Sequence, residues 1–171
     1  MTDDGERRLV LLRHAKSDWP LGIEDVERPL AERGRRDAAA AGPELARLGI
    51  DAVLCSPARR TRETWRLVSA GLDPVPPVRV VRELYGADPE ELVDVVRMVP
   101  PGVGTVLVIG HEPTMSGTAS RLAGPESDAG SLARLKTKYP TSAIAVLRLA
   151  GPWSELGLGN AVLEEFVVPR G

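Results

Sequence analysis

The chain contains two histidines, and each stands where an apolar run ends: His14 follows Leu9-Val10-Leu11-Leu12-Arg13, and His111 follows Val106-Leu107-Val108-Ile109-Gly110. Imidazole, with an unperturbed pKa of about 6.5, keeps a free lone pair at neutral pH and is a competent nucleophile toward phosphorus. Arg13, directly before His14, presents a planar fork of donors that matches phosphate oxygens. Taken singly, each histidine has another reading, a strand-end side chain satisfied by backbone hydrogen bonds. Taken together they share one environment, which structural histidines have no reason to do. The pattern points to phosphoryl transfer.

Basic residues are bunched early in the chain, and helical geometry sorts them. At roughly 100° per residue, Thr61, Trp65, Val68 and Leu72 share one face of a helix and are expected to be buried. Arg59, Arg62, Glu63 and Arg66 fall on the solvated side. Arg60 lies on a flank with Thr64, in the first turn, and is the arginine placed to reach a phosphate. Lys16 and Ser17 extend the segment after His14 and can donate hydrogen bonds. Arg28 either folds over the same edge or anchors its own loop, and Trp19 is expected to pin that loop. Glu83, just past the third apolar run, is the candidate proton donor or else a solvated carboxylate. No Gly-Lys-Ser/Thr phosphate loop occurs, and no Cys-x-x-Cys or His-x-x-x-His offers metal ligands. The expectation is chemistry with no metal and no other cofactor.

Positioning these groups requires a particular architecture. Apolar runs at 8–13, 51–55, 78–82, 105–110 and 143–149 alternate, over the first four, with helical patterns. That order predicts an α/β three-layer sandwich: a mostly parallel central sheet, helices on both faces and an antiparallel edge strand near the C-terminus, within 160–168. In such sheets ligands bind along the carboxyl ends of the strands. The first helix reads from Leu30, Gly34, Ala38, Ala41, Leu45 and Leu48, with Pro43 expected to break or kink it near Gly42. A second helix is expected to open at Ser56-Pro57, with serine as cap and proline in the first turn. Asp88-Pro89-Glu90-Glu91 predicts a capped third helix burying Leu92, Val95, Val96 and Val99. A fourth starts at Pro113, directly after His111, burying Met115, Ala119 and Leu122. Residues 124–140 read as a surface excursion.

At 171 residues, with 43% hydrophobic and 27% charged residues, the chain reads as one soluble domain over 1–171. A net charge of −2 gives no reason to expect nucleic acid as a partner. No apolar run approaches the roughly 20 residues that span a bilayer. The acidic start, Met1 to Glu6, lacks the apolar core of a signal peptide. One cysteine, Cys55, excludes an internal disulfide and reads as a small buried hydrophobe in a reducing compartment. A cytoplasmic monomer is the expectation.

Four separated motifs carry a family resemblance. Leu12-Arg13-His14-Ala15-Lys16-Ser17-Asp18-Trp19 resembles the Arg-His-Gly signature of the histidine phosphatase superfamily, which includes phosphoglycerate mutases. Asp25-x-x-Arg28-Pro29-Leu30, Ser56-Pro57-x-x-Arg60-x-x-x-Thr64 and Val108-Ile109-Gly110-His111-Glu112-Pro113 follow in the family's order. Thr141-Ser142-Ala143-Ile144-Ala145 resembles a late segment of the SixA-type phosphohistidine phosphatases. The resemblance implies that His14 takes the phosphoryl group, with Arg13, Arg60 and a cationic His111 around it, and that water then releases phosphate. The substrate it implies is a phosphorylated protein carrying phosphohistidine. Alternatives are a phosphatase of small phosphoesters or nucleotides and a silent phosphate-binding module. Two departures stand out. Ala15 replaces the signature glycine, tolerable unless that backbone needs positive φ. Pro20 stands where mutase-like members carry an asparagine that touches phosphate, which points away from a mutase.

Overall fold

A computed structural model describes residues 5–171; Met1 to Asp4, the first part of the acidic segment considered above for a signal peptide, lie outside the described residues. Strands β1 (Arg7–Arg13), β2 (Ala52–Cys55), β3 (Val78–Val80), β4 (Thr105–Gly110), β5 (Ile144–Leu149) and β6 (Ala161–Val167) form one six-stranded sheet in the order β3-β2-β4-β1-β5-β6. The first four pair in parallel, β5 runs antiparallel to β1, and β6 closes the edge antiparallel to β5. The fold is therefore the α/β sandwich read from the sequence.

Strand alternation sends successive side chains to opposite faces, and both faces of this sheet are covered. Leu9 and Leu11 of β1, with Val106 and Val108 of β4, pack under α3 (Pro89–Arg97), α4 (Thr114–Leu122) and α5 (Ala129–Thr137). Val10 and Leu12, with Leu107 and Ile109, pack under α1 (Glu32–Ala46) and α2 (Arg59–Ser69). Burying each such aliphatic side chain stabilises the fold by roughly 1.5–3 kcal/mol. With Leu9 to Leu12 and Val106 to Ile109 all at 1% exposure or less, β1 and β4 form a rigid spine. The helix after β1 lies on one face and the helix after β4 on the other, so a crevice opens between their carboxyl ends, the usual ligand position in open α/β sheets.

Glycine is required at one approach in this region. A Cβ at Gly34 would overlap the carbonyl oxygen of Lys16, so only glycine lets α1 close on the segment after His14. That segment is also tied down by Ala31 N–H donating to Lys16 O at 2.9 Å.

The structure corrects several local expectations. Helix α1 is not broken at Pro43 but continues to Ala46; Pro43 sits in its last turn, and Ala41 and Leu45 on either side are both fully buried. Helix α2 starts at Arg59 with Ala58 as its cap and no side-chain bond from that residue; the Ser56 hydroxyl accepts from Ala58 N–H at 3.4 Å, just before the helix. Residues 124–140 are not simply an excursion. They hold α5, capped by Asp128, which accepts from Ser131 N–H at 2.9 Å; the helix buries only Ser131 and Leu135, too sparse an apolar pattern to read. The Asp88 capping box of α3 is present, with Val93 rather than Val95 fully buried beside Leu92 and Val96. Among the described residues no helix is long and apolar enough to cross a membrane. Cys55 is buried, and burial pushes its thiol up to about 12.

Candidate active site

Register brings the two histidines together. Arg13 of β1 pairs with Gly110 of β4, so the next residue on each strand leaves the sheet side by side, and His14 N–H donates to Gly110 O at 3.1 Å. The imidazole centroids are 5.4 Å apart. Arg13, His14, Arg60 and His111 line a single cavity of about 230 Å³. Lys16, Ser17 and Arg28 also reach its wall, joined by Trp19, Glu112 and Thr141.

His14 is buried, and its Nδ1 lies 2.7 Å from the carbonyl oxygen of Ala15. A carbonyl only accepts, so Nδ1 carries the proton and Nε2 keeps the lone pair. The carbonyl is itself held in place, because Ala15 N–H donates to Thr64 Oγ1 at 3.0 Å. Ala15 does not adopt positive φ, and its methyl is fully buried. Burial pushes the His14 pKa down to about 3, reinforced by His111, Arg60 and Arg13 and opposed by the Ala15 hydrogen bond.

His111 has the opposite tautomer. Its Nδ1 faces Arg60 Nη2 at 3.4 Å and its Nε2 faces Ser56 Oγ at 2.7 Å. Guanidinium only donates, so Nδ1 accepts and Nε2–H donates to Ser56. Burial and then Arg60 lower its pKa to about 4, against a smaller opposing effect of Asp25. His111 is therefore neutral at pH 7, burial and the Arg60 charge both disfavouring its proton; the cationic form expected above is the one facing a phosphoryl group. Ser56 was missed as a site residue; its expected capping role obscured it, although its place at the end of β2 was legible.

Both imidazoles thus stay neutral across the physiological range. Since unfolding restores pKa values near 6.5, the unfolded chain takes up these protons first. The stability tied to the two rings is complete above about pH 6.5 and declines as pH falls toward 3 to 4. With two histidines in the chain, imidazole NMR signals should be essentially unmoved between pH 8 and 6 and titrate only below that. A midpoint near 6.5 in either ring would contradict this picture. Orthophosphate should move the His111 midpoint upward.

Asp25 organises the arginines; it opened one of the motifs quoted above but was given no site role. Its carboxylate accepts from Arg28 Nη1 at 3.0 Å and Arg60 Nη2 at 3.1 Å, and from the Tyr85 hydroxyl. These bonds, that of Tyr85 foremost, hold its pKa far below the usual carboxylate range. Its backbone carbonyl accepts from Arg60 Nη1 at 2.7 Å. Arg13 Nη1 donates to Tyr139 O at 2.9 Å. The Nε groups of Arg13 and Arg60 are buried with no hydrogen-bond partner, a cost of about 1–3 kcal/mol each at the centre of the site. Arg28 anchors its loop: Nε donates to Asp18 O at 3.1 Å, Nη2 to Ser17 Oγ, and the guanidinium stacks on Trp19. Ser142 adopts φ +66° while its N–H reaches both Arg13 O and His14 O at 3.1 Å. Such backbone strain concentrates at functional sites.

Glu83 does not join this group. The chain turns at Arg82–Leu84, which buries Leu84 and leaves Glu83 in solvent, away from the cavity wall. The wall carboxylate is Glu112. Its two oxygens accept from Ser116 N–H at 2.6 Å and Ser116 Oγ at 2.7 Å, so it caps the first turn of α4. Among the described residues no group of three or more His, Cys, Asp or Glu side chains is gathered as a metal site.

Residues 9–93 match the model of the histidine phosphatase superfamily, branch 1. An uncharacterized Mycobacterium tuberculosis protein, Rv1276c, is 48% identical over 162 residues, covering 93% of this chain and all of that one. The structure of SixA from Nakamurella multipartitia is 35% identical at a TM-score of 0.84, covering 96% of this chain and 97% of its own. A protein histidine phosphatase SixA solved with tungstate is 25% identical at a TM-score of 0.75, covering 95% and 97%.

Proposed function

The chain belongs to the histidine phosphatase superfamily, and from that premise we propose that this phosphatase hydrolyses phosphohistidine carried on a protein. The observation that carries the proposal is the His14 tautomer. Nδ1 is held by the Ala15 carbonyl, so a neutral Nε2 lone pair stands beside two arginines in a small cavity.

In the first step His14 Nε2 attacks phosphorus. The N–P bond of the substrate breaks as the new one forms, and the departing imidazole takes a proton from solvent water, one that is returned to solvent when the second step forms orthophosphate. Arg13, Arg60 and His111 stabilise the equatorial oxygens as their charge develops. Water then attacks phosphorus, the His14–phosphorus bond breaks, and orthophosphate leaves. An arriving dianion opposes the burial and the Arg60 charge that keep His111 neutral, and so favours its protonation.

Leaving-group chemistry supports phosphohistidine over alkyl phosphates. Imidazole departs with less protonation help than an alkoxide. Glu83 lies in solvent and Glu112 has both oxygens engaged by Ser116, so among the described residues the cavity wall offers no unengaged carboxylate as a strong acid. Glu112 is the one feature that favours small phosphoesters, if it releases Ser116 to protonate an alkoxide. A substrate panel separates the readings: kcat/KM for a histidine-phosphorylated protein should exceed that for glycerate, sugar and nucleotide phosphates about a hundredfold. Equal or reversed values would overturn the proposal.

A further inference from the structure

We propose that the loop Trp19–Ile23 is the surface on which the phosphohistidine-bearing protein docks, an inference that rests on the phosphohistidine reading above. The cavity sets the requirement. At about 230 Å³ it falls below the roughly 300–1,000 Å³ of pockets that enclose a small-molecule ligand. It takes the phosphoryl group and the nitrogen that carries it, so the rest of the substrate lies outside, against the mouth.

One side of that mouth is apolar. Trp19 forms part of the cavity wall and yet is 70% exposed. Beyond it Leu21 is fully exposed and Ile23 is 46% exposed. Three large apolar side chains within five residues, bare beside a cationic pocket, make the kind of patch that marks an interaction surface. A hydrophilic phosphate metabolite gains nothing from bare leucine and isoleucine. The aliphatic side chains that surround a histidine on a protein surface do gain from covering them.

The loop is also held ready. Ser17 bridges to Leu30 across its base, and Asp18 N–H donates to Pro29 O at 2.8 Å. Arg28 reaches the Asp18 carbonyl and stacks on the Trp19 ring. Gly22 turns the tip at φ +76°, a conformation that costs glycine little. An apolar tip on a fixed mount loses little conformational freedom on binding, which favours affinity. Around the phosphorus the contacts are charged, and at the rim they are apolar, so recognition of the anion and recognition of its carrier are separated in space.

The test compares wild type with the double variant Leu21→Ser/Ile23→Ser on two substrates: a phosphotransfer domain phosphorylated on histidine, and free phosphohistidine. Both side chains lie outside the cavity wall, so turnover of free phosphohistidine should stay within about twofold. For the phosphorylated domain, KM should rise about tenfold with kcat unchanged. Equal kinetics of wild type and variant on the domain would overturn the docking inference while leaving the proposed function standing. So would an equal loss on both substrates, which would make the loop a support of the catalytic groups. A wild-type dimer that the variant converts to monomer would reassign the patch to a second copy of the chain and overturn it as well. Wild type inactive on any phosphohistidine would overturn the proposed function itself, a result visible before any variant is made.

Discussion

Alanine in place of His14 is expected to lower turnover of a phosphohistidine substrate by about a thousandfold or more, because the first covalent step then has no nucleophile. Water attacking directly would still have Arg13, Arg60 and His111 around the phosphoryl group, and that residual stabilisation sets the rate that survives. The fold should tolerate the change. The ring is neutral, its one hydrogen bond goes to the adjacent residue's carbonyl, and the β1–β4 spine beneath it is untouched. Circular dichroism and a thermal melt check this. The decisive measurement is a rapid quench into base, since phosphoramidates are labile in acid, after mixing wild type with a radiolabelled donor. Label should map to His14. A surviving rate above one tenth of wild type, or label on another residue, would overturn the assignment.

Arg60→Ala should cost about a hundredfold or more in kcat, the usual loss when one donor to a developing oxyanion is removed. Arg62→Ala, two residues away on the same helix, should stay within about twofold. The difference is positional. Arg60 is buried, with both terminal nitrogens directed by Asp25 and one facing His111. Arg62 is exposed and bonded only to the Pro57 carbonyl. Arg60→Lys should fare little better than alanine, because an ammonium cannot span the Asp25 carboxylate, its carbonyl and His111 together. Equal effects at 60 and 62 would mean that Arg60 does not meet the phosphoryl group. Because the Asp25 carboxylate is half exposed, losing Arg60 does not strand a buried charge, so the activity loss can be read without a folding defect.

Much of this was legible because it follows from local periodicity. Apolar runs of strand length, separated by helical patterns, yielded the sheet and its two covered faces. The helical phase from Thr61 to Leu72 separated Arg60 from its neighbours, and Thr64 on the same flank proved fully buried, bonded to the Ala15 amide. For Glu83 the solvated of its two readings is the one observed, because a residue that follows a strand need not point along it. The turn at Arg82–Leu84 commits Leu84 to the core and so turns Glu83 out. Ser56 and Asp25 stood in the motifs that carried the resemblance yet received no site role for a related reason: serine and aspartate are common in turns and caps, and nothing in their neighbours distinguishes a hydroxyl or carboxylate that reaches across to another element. Helix α5 was lost because a helix resting on one edge of a sheet needs only a narrow buried stripe.

The amino-acid sequence by itself determined which elements form and which side chains sit at their ends, since both depend on contacts within a few residues. Arg13, His14, Arg60 and His111 were all placed at one sheet edge in that way. Only the tertiary structure decided which nitrogen of each imidazole carries its proton, that burial and Arg60 hold His111 neutral, and that Asp25 ties Arg28, Arg60 and Tyr85 together. Those outcomes depend on groups far apart in the chain meeting at hydrogen-bond distance, where a few tenths of an ångström and the loss of water set the electrostatics.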